Sequence, residues 1–120
     1  MKIQTTAHNV ELTEKLSEYL EKRLGTLDKL ISDKSATLAH VRVGKEGNHH
    51  KTGDIYFTEI NLTVDGDSFY AKSEQESLYA SIDIAKDELL HSLKGKKEKK
   101  ETLWRKGNQK IKAMARRLKF

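Results

Sequence analysis

Apolar residues recur every two positions in some segments of this chain and every three or four positions in others. This change of period constrains the fold most. Residues 2–7, KIQTTA, alternate with period two, which predicts a short strand. Leucine or isoleucine then recurs every three or four positions, which predicts an amphipathic helix that begins at the N-cap Thr13. The stripe consists of Leu12, Leu16, Leu20, Leu24, Leu27 and Ile31.

Three further segments alternate with period two and predict three more strands. In residues 36–44, Ala39, Val41 and Val43 share one face, and Leu38, His40 and Arg42 share the other. Residues 55–64, IYFTEINLTV, are rich in the β-branched and aromatic residues that strands favour. The following Asp-Gly-Asp predicts a tight hairpin turn into a strand over residues 68–73.

A second amphipathic helix is predicted after these strands. Ser73 and Glu76 have the spacing of a capping box, and we expect them to open it. Its apolar stripe consists of Leu78, Ile82, Ala85, Leu89 and Leu93. The sequence therefore predicts an α+β fold of order β-α-β-β-β-α, with one four-stranded sheet and two helices on one face. Gly95 is the expected boundary between a domain, residues 1–94, and a C-terminal extension, residues 95–120.

The positive charge of the chain is concentrated in that extension. It contains eleven Lys or Arg and two Glu, hence +9, whereas residues 1–94 contain twelve Lys or Arg and sixteen Asp or Glu, hence −4. The extension also has a helical apolar stripe at Leu103, Gly107 and Ile111, so we expect either a third helix interrupted or bent at Gly107 or a segment that orders on binding. Nucleic acid is the favoured partner, and Trp104 is a candidate for base stacking. A solvated tail and an anionic membrane surface remain alternatives.

Several classes of function have no support in the sequence. The chain has no cysteine, so it can form neither disulfides nor thiolate sites. No run approaches the ~18 apolar residues of a membrane span, and a cytoplasmic location is expected. No catalytic constellation is evident, so we expect no enzymatic activity, no metal and no cofactor. The adjacent His49 and His50 lack the further ligands that a zinc site needs.

Two segments resemble the ribosome hibernation-promoting factors, also called ribosome-associated inhibitors or sigma-factor modulation proteins. They are NVELTEKLSEYLEKRLGTLDKL, residues 9–30, and SLYASID, residues 77–83, which follows VDGDSFYAKSEQE. The resemblance covers roughly residues 1–97, and the length of the chain indicates the short form of the family. It implies a fold similar to double-stranded RNA-binding domains.

The resemblance also implies a function in translation. Such a protein would occupy the decoding channel of the small ribosomal subunit during stress or stationary phase and block messenger RNA and tRNA. Its partners would be the small subunit with its 16S-type rRNA, and whole ribosomes, without a membrane, a cofactor or a small-molecule substrate. A general structured-RNA-binding module without ribosome specificity is the alternative.

The predicted RNA-binding residues are cations of both helices and of the extension. Glu88 stands where the family tends to have Lys, and His91 where it tends to have Arg, which shifts the expected surface toward the end of the second helix. Phosphate contacts by Lys and Arg dominate the affinity of such surfaces. The predicted set is Lys22, Arg23, Lys29, Lys86, His91, Lys94, Lys96, Lys97, Lys99, Lys100, Arg105 and Lys106.

Overall fold

The computed structural model describes the backbone of residues 1–46 and 53–117 and the side chains of residues 1–46 and 53–99. Its elements follow the predicted order β-α-β-β-β-α, which is confirmed. They are β1 (Lys2–His8), α1 (Glu14–Gly25), a 3-10 turn (Asp28–Leu30), β2 (Leu38–Glu46), β3 (Ile55–Val64), β4 (Asp67–Gln75) and α2 (Leu78–Arg117). The adjacent His49 and His50, for which the sequence predicted no metal site, lie outside the described residues.

The four strands form one sheet in the order β1-β2-β3-β4. β1 runs parallel to β2, and α1 lies in the crossover that a parallel pair requires. β2, β3 and β4 are antiparallel neighbours. Asp65 and Gly66 join the last two strands with φ angles of 51° and 80°, as the predicted two-residue hairpin turn requires.

The hydrophobic core lies between one face of this sheet and the two helices. Ala39, Val41 and Val43 of β2 are buried there, so the prediction that they share one face is confirmed, and this face points into the core. Leu89 lies in the centre of the α2 stripe and is completely buried. Thr58 of β3 is also buried, and its hydroxyl hydrogen-bonds that of Ser81 of α2 at 2.7 Å, which satisfies both groups.

The first helix is shorter than its apolar stripe predicts. The hydroxyl of Thr13 accepts the Leu16 N–H at 3.1 Å, so the predicted N-cap is confirmed. The helix ends at Gly25, where the hydroxyl of Thr26 donates to the Arg23 carbonyl at 2.7 Å. Leu27 follows the helix yet is buried, whereas Leu12 precedes it and is exposed. The stripe therefore continues into the core through the 3-10 turn.

The predicted capping box at Ser73 is wrong. Ser73 pairs with Thr58 inside the sheet and is 5% exposed. Its side chain faces the helical layer, as the alternation along β4 requires, so its hydroxyl is not available to a helix end. Ser77 occupies the cap position instead, and its hydroxyl accepts the Ala80 N–H at 3.4 Å. Strand pairing extends β4 to Gln75 and overrides the local capping signal.

The second helix is a single element of 40 residues, which corresponds to about 60 Å at ~1.5 Å per residue. It continues through Gly95 and Gly107, so the separate third helix predicted for the extension is wrong. One glycine lowers helix stability by about 1 kcal/mol, which good helix formers on either side can offset. The division of the chain at Gly95 into domain and extension stays a prediction. No helix within the described ranges has the length and apolarity to cross a bilayer.

Candidate nucleic-acid interface

A cleft next to the β3–β4 turn brings together predicted cations from two elements. Lys29 comes from the 3-10 turn, and Lys96 and Lys97 come from α2. The cleft has a volume of about 270 Å³, and Leu93 and Phe69 contribute apolar surface to it. We call this region, lined by the three lysines, the basic cleft. An exposed lysine on each side allows it to contact a phosphate backbone from two directions.

The three lysines of the basic cleft differ in their contacts. Lys96 Nζ lies 2.7 Å from a carboxylate oxygen of Asp67 and 5.3 Å from the centre of the Phe69 ring. These contacts attach α2 to the hairpin and partly neutralise the charge of Lys96. Lys29 and Lys97 are exposed. They therefore carry more of the available positive charge of the cleft than Lys96.

Arg23 lies in the contact between the two helices. Its Nε is 3.0 Å from Asp83 Oδ1, and its guanidinium lies 5.0 Å from the centre of the Tyr19 ring. The Tyr19 hydroxyl donates to both oxygens of Asp83, at 2.8 and 2.9 Å. Tyr79 packs edge-on against Tyr19 at 4.7 Å. This cluster joins α1 to α2, and Asp83 neutralises much of the charge of Arg23.

The remaining predicted residues are distributed over other surfaces. Lys86 is largely buried, with 13% of its side chain exposed, and it pairs with Asp87. Lys22 of α1 and both Lys94 and Lys99 of α2 are exposed. His91 is exposed in a different groove from the basic cleft. The side chains of Lys100, Arg105 and Lys106, and that of Trp104, lie outside the described part of the chain.

The open face of the sheet carries a charged group that the sequence did not predict as a site. Arg42 forms an ion pair with Glu59 at 3.1 Å, and the Tyr70 hydroxyl donates to the same carboxylate at 2.8 Å. The hydrogen bond from Tyr70, together with Arg42, lowers the pKa of Glu59. Arg42 and Lys72 also lie about 6 Å from the Phe57 ring, at 6.0 and 5.9 Å. The sequence placed Arg42 on this face, but only the strand register brings these side chains together.

The described residues contain no arrangement that indicates a metal centre. Within residues 1–46 and 53–99, no three His, Asp or Glu side chains are placed to hold one ion. The geometry instead offers exposed lysines at a cleft and along a helix. Such a surface can bind a polyanion through phosphate contacts without a chemical step.

Comparison with known proteins gives a family for these features. Residues 3–101 match the family described as Sigma 54 modulation protein / S30EA ribosomal protein. A ribosome hibernation promotion factor of Picosynechococcus sp. is 30% identical over 99 residues, which are 82% of this chain and 50% of that protein. A ribosome hibernation promoting factor of Salmonella typhimurium is 27% identical over 99 residues, 82% of this chain and 96% of that protein. The chain thus spans about half of the first relative and nearly all of the second.

A solved structure shares the fold. The crystal structure of the N-terminal domain of protein Y from Thermus thermophilus superposes with a TM-score of 0.68 at 28% sequence identity. The superposition covers 78% of this chain and 97% of that domain. The predicted α+β fold is therefore confirmed by comparison as well as by the strand order.

Proposed function

Because this chain belongs to the Sigma 54 modulation protein / S30EA ribosomal protein family, we propose that it binds ribosomes and keeps them in an inactive, stored state. The family match over residues 3–101 is the observation that carries this proposal. Relatives named as ribosome hibernation factors support it, since one of them is matched over nearly its whole length. We place this activity in the cytoplasm, where ribosomes work, during stress or stationary phase.

We propose further that the protein occupies the decoding channel of the small subunit. Occupancy there excludes messenger RNA and tRNA by steric block, and no bond is made or broken. The basic cleft and the exposed lysines of α2 would contact phosphates of the 16S-type rRNA. Lys29 and Lys97 would contribute more than Arg23, because Asp83 already neutralises much of the charge of Arg23.

Sedimentation tests this proposal. Purified protein is mixed with small subunits or whole ribosomes and centrifuged through sucrose, with and without initiator tRNA and messenger RNA. We expect the protein to sediment with the particles and to be displaced by the two ligands together. Binding that tRNA and messenger RNA leave unchanged would contradict channel occupancy. Equal binding to unrelated folded RNA would favour the alternative, a general structured-RNA-binding module.

Variants of the basic cleft test the assignment of its surface. Lys29→Gln together with Lys97→Gln removes two candidate phosphate contacts. The slope of log K against log salt should become shallower by about 1 per lost contact. Lys15→Gln is the matched control, because Lys15 is exposed in the first turn of α1, at the far end of that helix from the 3-10 turn. Equal slopes for the native protein and the double variant would show that the basic cleft is not part of the ribosome-binding surface.

A further inference from the structure

A second groove lies between α2 and β4, at the edge of the sheet. It has a volume of about 500 Å³ and is lined by Tyr70, Ile84, Asp87, Glu88, His91 and Ser92. We call it the β4–α2 groove. Its lining includes two carboxylates and neither Lys nor Arg, whereas the basic cleft has three Lys beside Asp65 and Asp67. The groove therefore lacks the cations that bind an RNA backbone, and it differs in chemistry from the basic cleft.

The β4–α2 groove also exposes apolar surface. The side chains of Tyr70 and Ile84 are 56% and 38% exposed, although both belong to regular elements of a packed domain. Tyr70 is held in place because its hydroxyl donates to Glu59 at 2.8 Å. An aromatic ring fixed in this way loses little conformational entropy when a ligand packs against it. Tyr70 lies on the open face of the sheet and Ile84 lies on α2, so the two side chains offer apolar contacts on either side of the β4 edge.

The sheet edge next to this groove is open to a further strand. Among the described strands, β4 pairs with β3 alone, so the other side of its backbone has no strand partner. An extended peptide can add to such an edge through main-chain hydrogen bonds, while neighbouring side chains select its sequence. The carboxylates of Asp87 and Glu88 select positive charge. Since Asp87 already pairs with Lys86, Glu88 provides most of this selection.

We propose that the β4–α2 groove binds a basic, extended peptide segment of a partner protein. An apolar side chain of the peptide packs against Tyr70 on the open face of the sheet. The neighbouring Lys or Arg points to the helix side, where its aliphatic part covers Ile84 and its charge pairs with Glu88. Basic disordered tails of nucleic-acid-binding proteins have this chemistry. This interaction would use a surface separate from the basic cleft, and it does not depend on the proposed ribosome contacts.

Peptide titration followed by NMR of the amide groups tests this proposal. The probe is a short peptide of alternating lysine and valine, and its counterpart of alternating glutamate and valine is the control ligand. We expect the lysine peptide to shift amide signals of β4 and of residues 84–92, and the glutamate peptide to bind at least about tenfold more weakly. Similar binding of both peptides, or shifts confined to other elements, would overturn the proposal.

Two variants assign the contacts. Ile84→Asn should weaken the lysine peptide about fivefold or more by removing apolar contact area without adding charge, and Glu88→Lys about threefold by reversing one exposed charge. Leu12→Asn is the matched control, because Leu12 is 41% exposed before α1, close to the 38% of Ile84. If Leu12→Asn weakened the peptide as much as Ile84→Asn, the assignment to this groove would be wrong.

Discussion

The two halves of α2 carry the same apolar periodicity but differ in charge. Leu103, Gly107 and Ile111 follow Ala85, Leu89 and Leu93 by 18 residues, which is five turns of an α-helix. The earlier three are buried against the sheet. The last buried side chain of α2 within the described residues is Leu93. Beyond it the helix continues to residue 117 with a strong excess of Lys and Arg.

This difference separates folding from binding within one helix. A buried stripe contributes to stability through the area that it removes from water. A stripe of the same period among cations is typical of a helix that binds an anionic partner through its charge and packs through its apolar face. The first half of α2 therefore stabilises the domain, and we expect the second half to contribute mainly to binding.

The largest expected effect follows from shortening one buried side chain in the first half of α2. Leu89→Ala should lower the free energy of unfolding by roughly 2–5 kcal/mol, because Leu89 is 0% exposed and a cavity would remain. Ile111→Ala, the matched change in the second half, should lower it by less than about 0.5 kcal/mol. Urea denaturation followed by circular dichroism measures both. Comparable losses would mean that the second half belongs to the same folding unit.

Two glycines give a second contrast, between strand β2 in the sheet and helix α2. A Cβ atom at Gly44 of β2 would lie 2.3 Å from the His8 carbonyl oxygen and 3.0 Å from the Phe57 ring, whereas at Gly95 it would meet nothing within 4 Å. Gly44→Ala should therefore destabilise the protein by about 1–3 kcal/mol. Gly95→Ala should leave it unchanged or stabilise the helix by up to about 1 kcal/mol. Thermal unfolding of the two variants tests this, and the opposite order would contradict the described packing.

Much of the fold was predictable because the apolar periods report burial directly. The inward faces of β2 and α2, the Asp-Gly turn and the Thr13 cap all follow from short-range patterns. The capping-box prediction is wrong because Ser73 fits both a helix cap and the alternation of a strand. In the structure it pairs with Thr58 in the sheet. The prediction of a separate third helix is wrong because one glycine costs too little to end a helix that good helix formers continue. Local signals decide an element only where tertiary contacts do not compete.

The candidate site was less predictable than the fold. Charge density predicted cations near the end of α2, but it could not tell Lys97 on the rim of the cleft from Lys96 paired with Asp67. It also could not anticipate that Asp83 would pair with Arg23 from another helix. These outcomes depend on contacts between elements distant in sequence. A pattern along one helix contains no information about them.

Truncation after Lys94 tests the second half of α2 directly. It removes the whole +9 extension, and we expect at least a tenfold loss of ribosome affinity at moderate salt, about 1.4 kcal/mol. Truncation after Lys100 is the matched control, because it keeps Lys96 and its ion pair with Asp67. Affinity in both is measured by sedimentation. If truncation after Lys94 left the affinity unchanged, the proposed role of the extension in binding would be wrong.

The smallest expected effect concerns the pH dependence of stability. The pKa of Glu59 is compared after a change in the domain and after removal of the extension. Tyr70 lowers the pKa of Glu59, and Arg42 adds to this, so the ionised carboxylate stabilises the folded state. This stabilisation is present above the ordinary glutamate pKa of about 4.3 and is lost as pH falls through the lowered value in the folded protein. Tyr70→Phe should therefore raise the pKa of Glu59 and reduce the loss of stability in acid, because less stabilisation remains to be lost. Since the groups that shift the pKa of Glu59 are Tyr70, Arg42 and Lys72, all of them in the sheet, truncation after Lys94 should leave the pKa of Glu59 unchanged. NMR titration of the Glu59 side chain measures the pKa in each variant, and an unchanged pKa in Tyr70→Phe would show that Arg42 and Lys72 lower it without Tyr70.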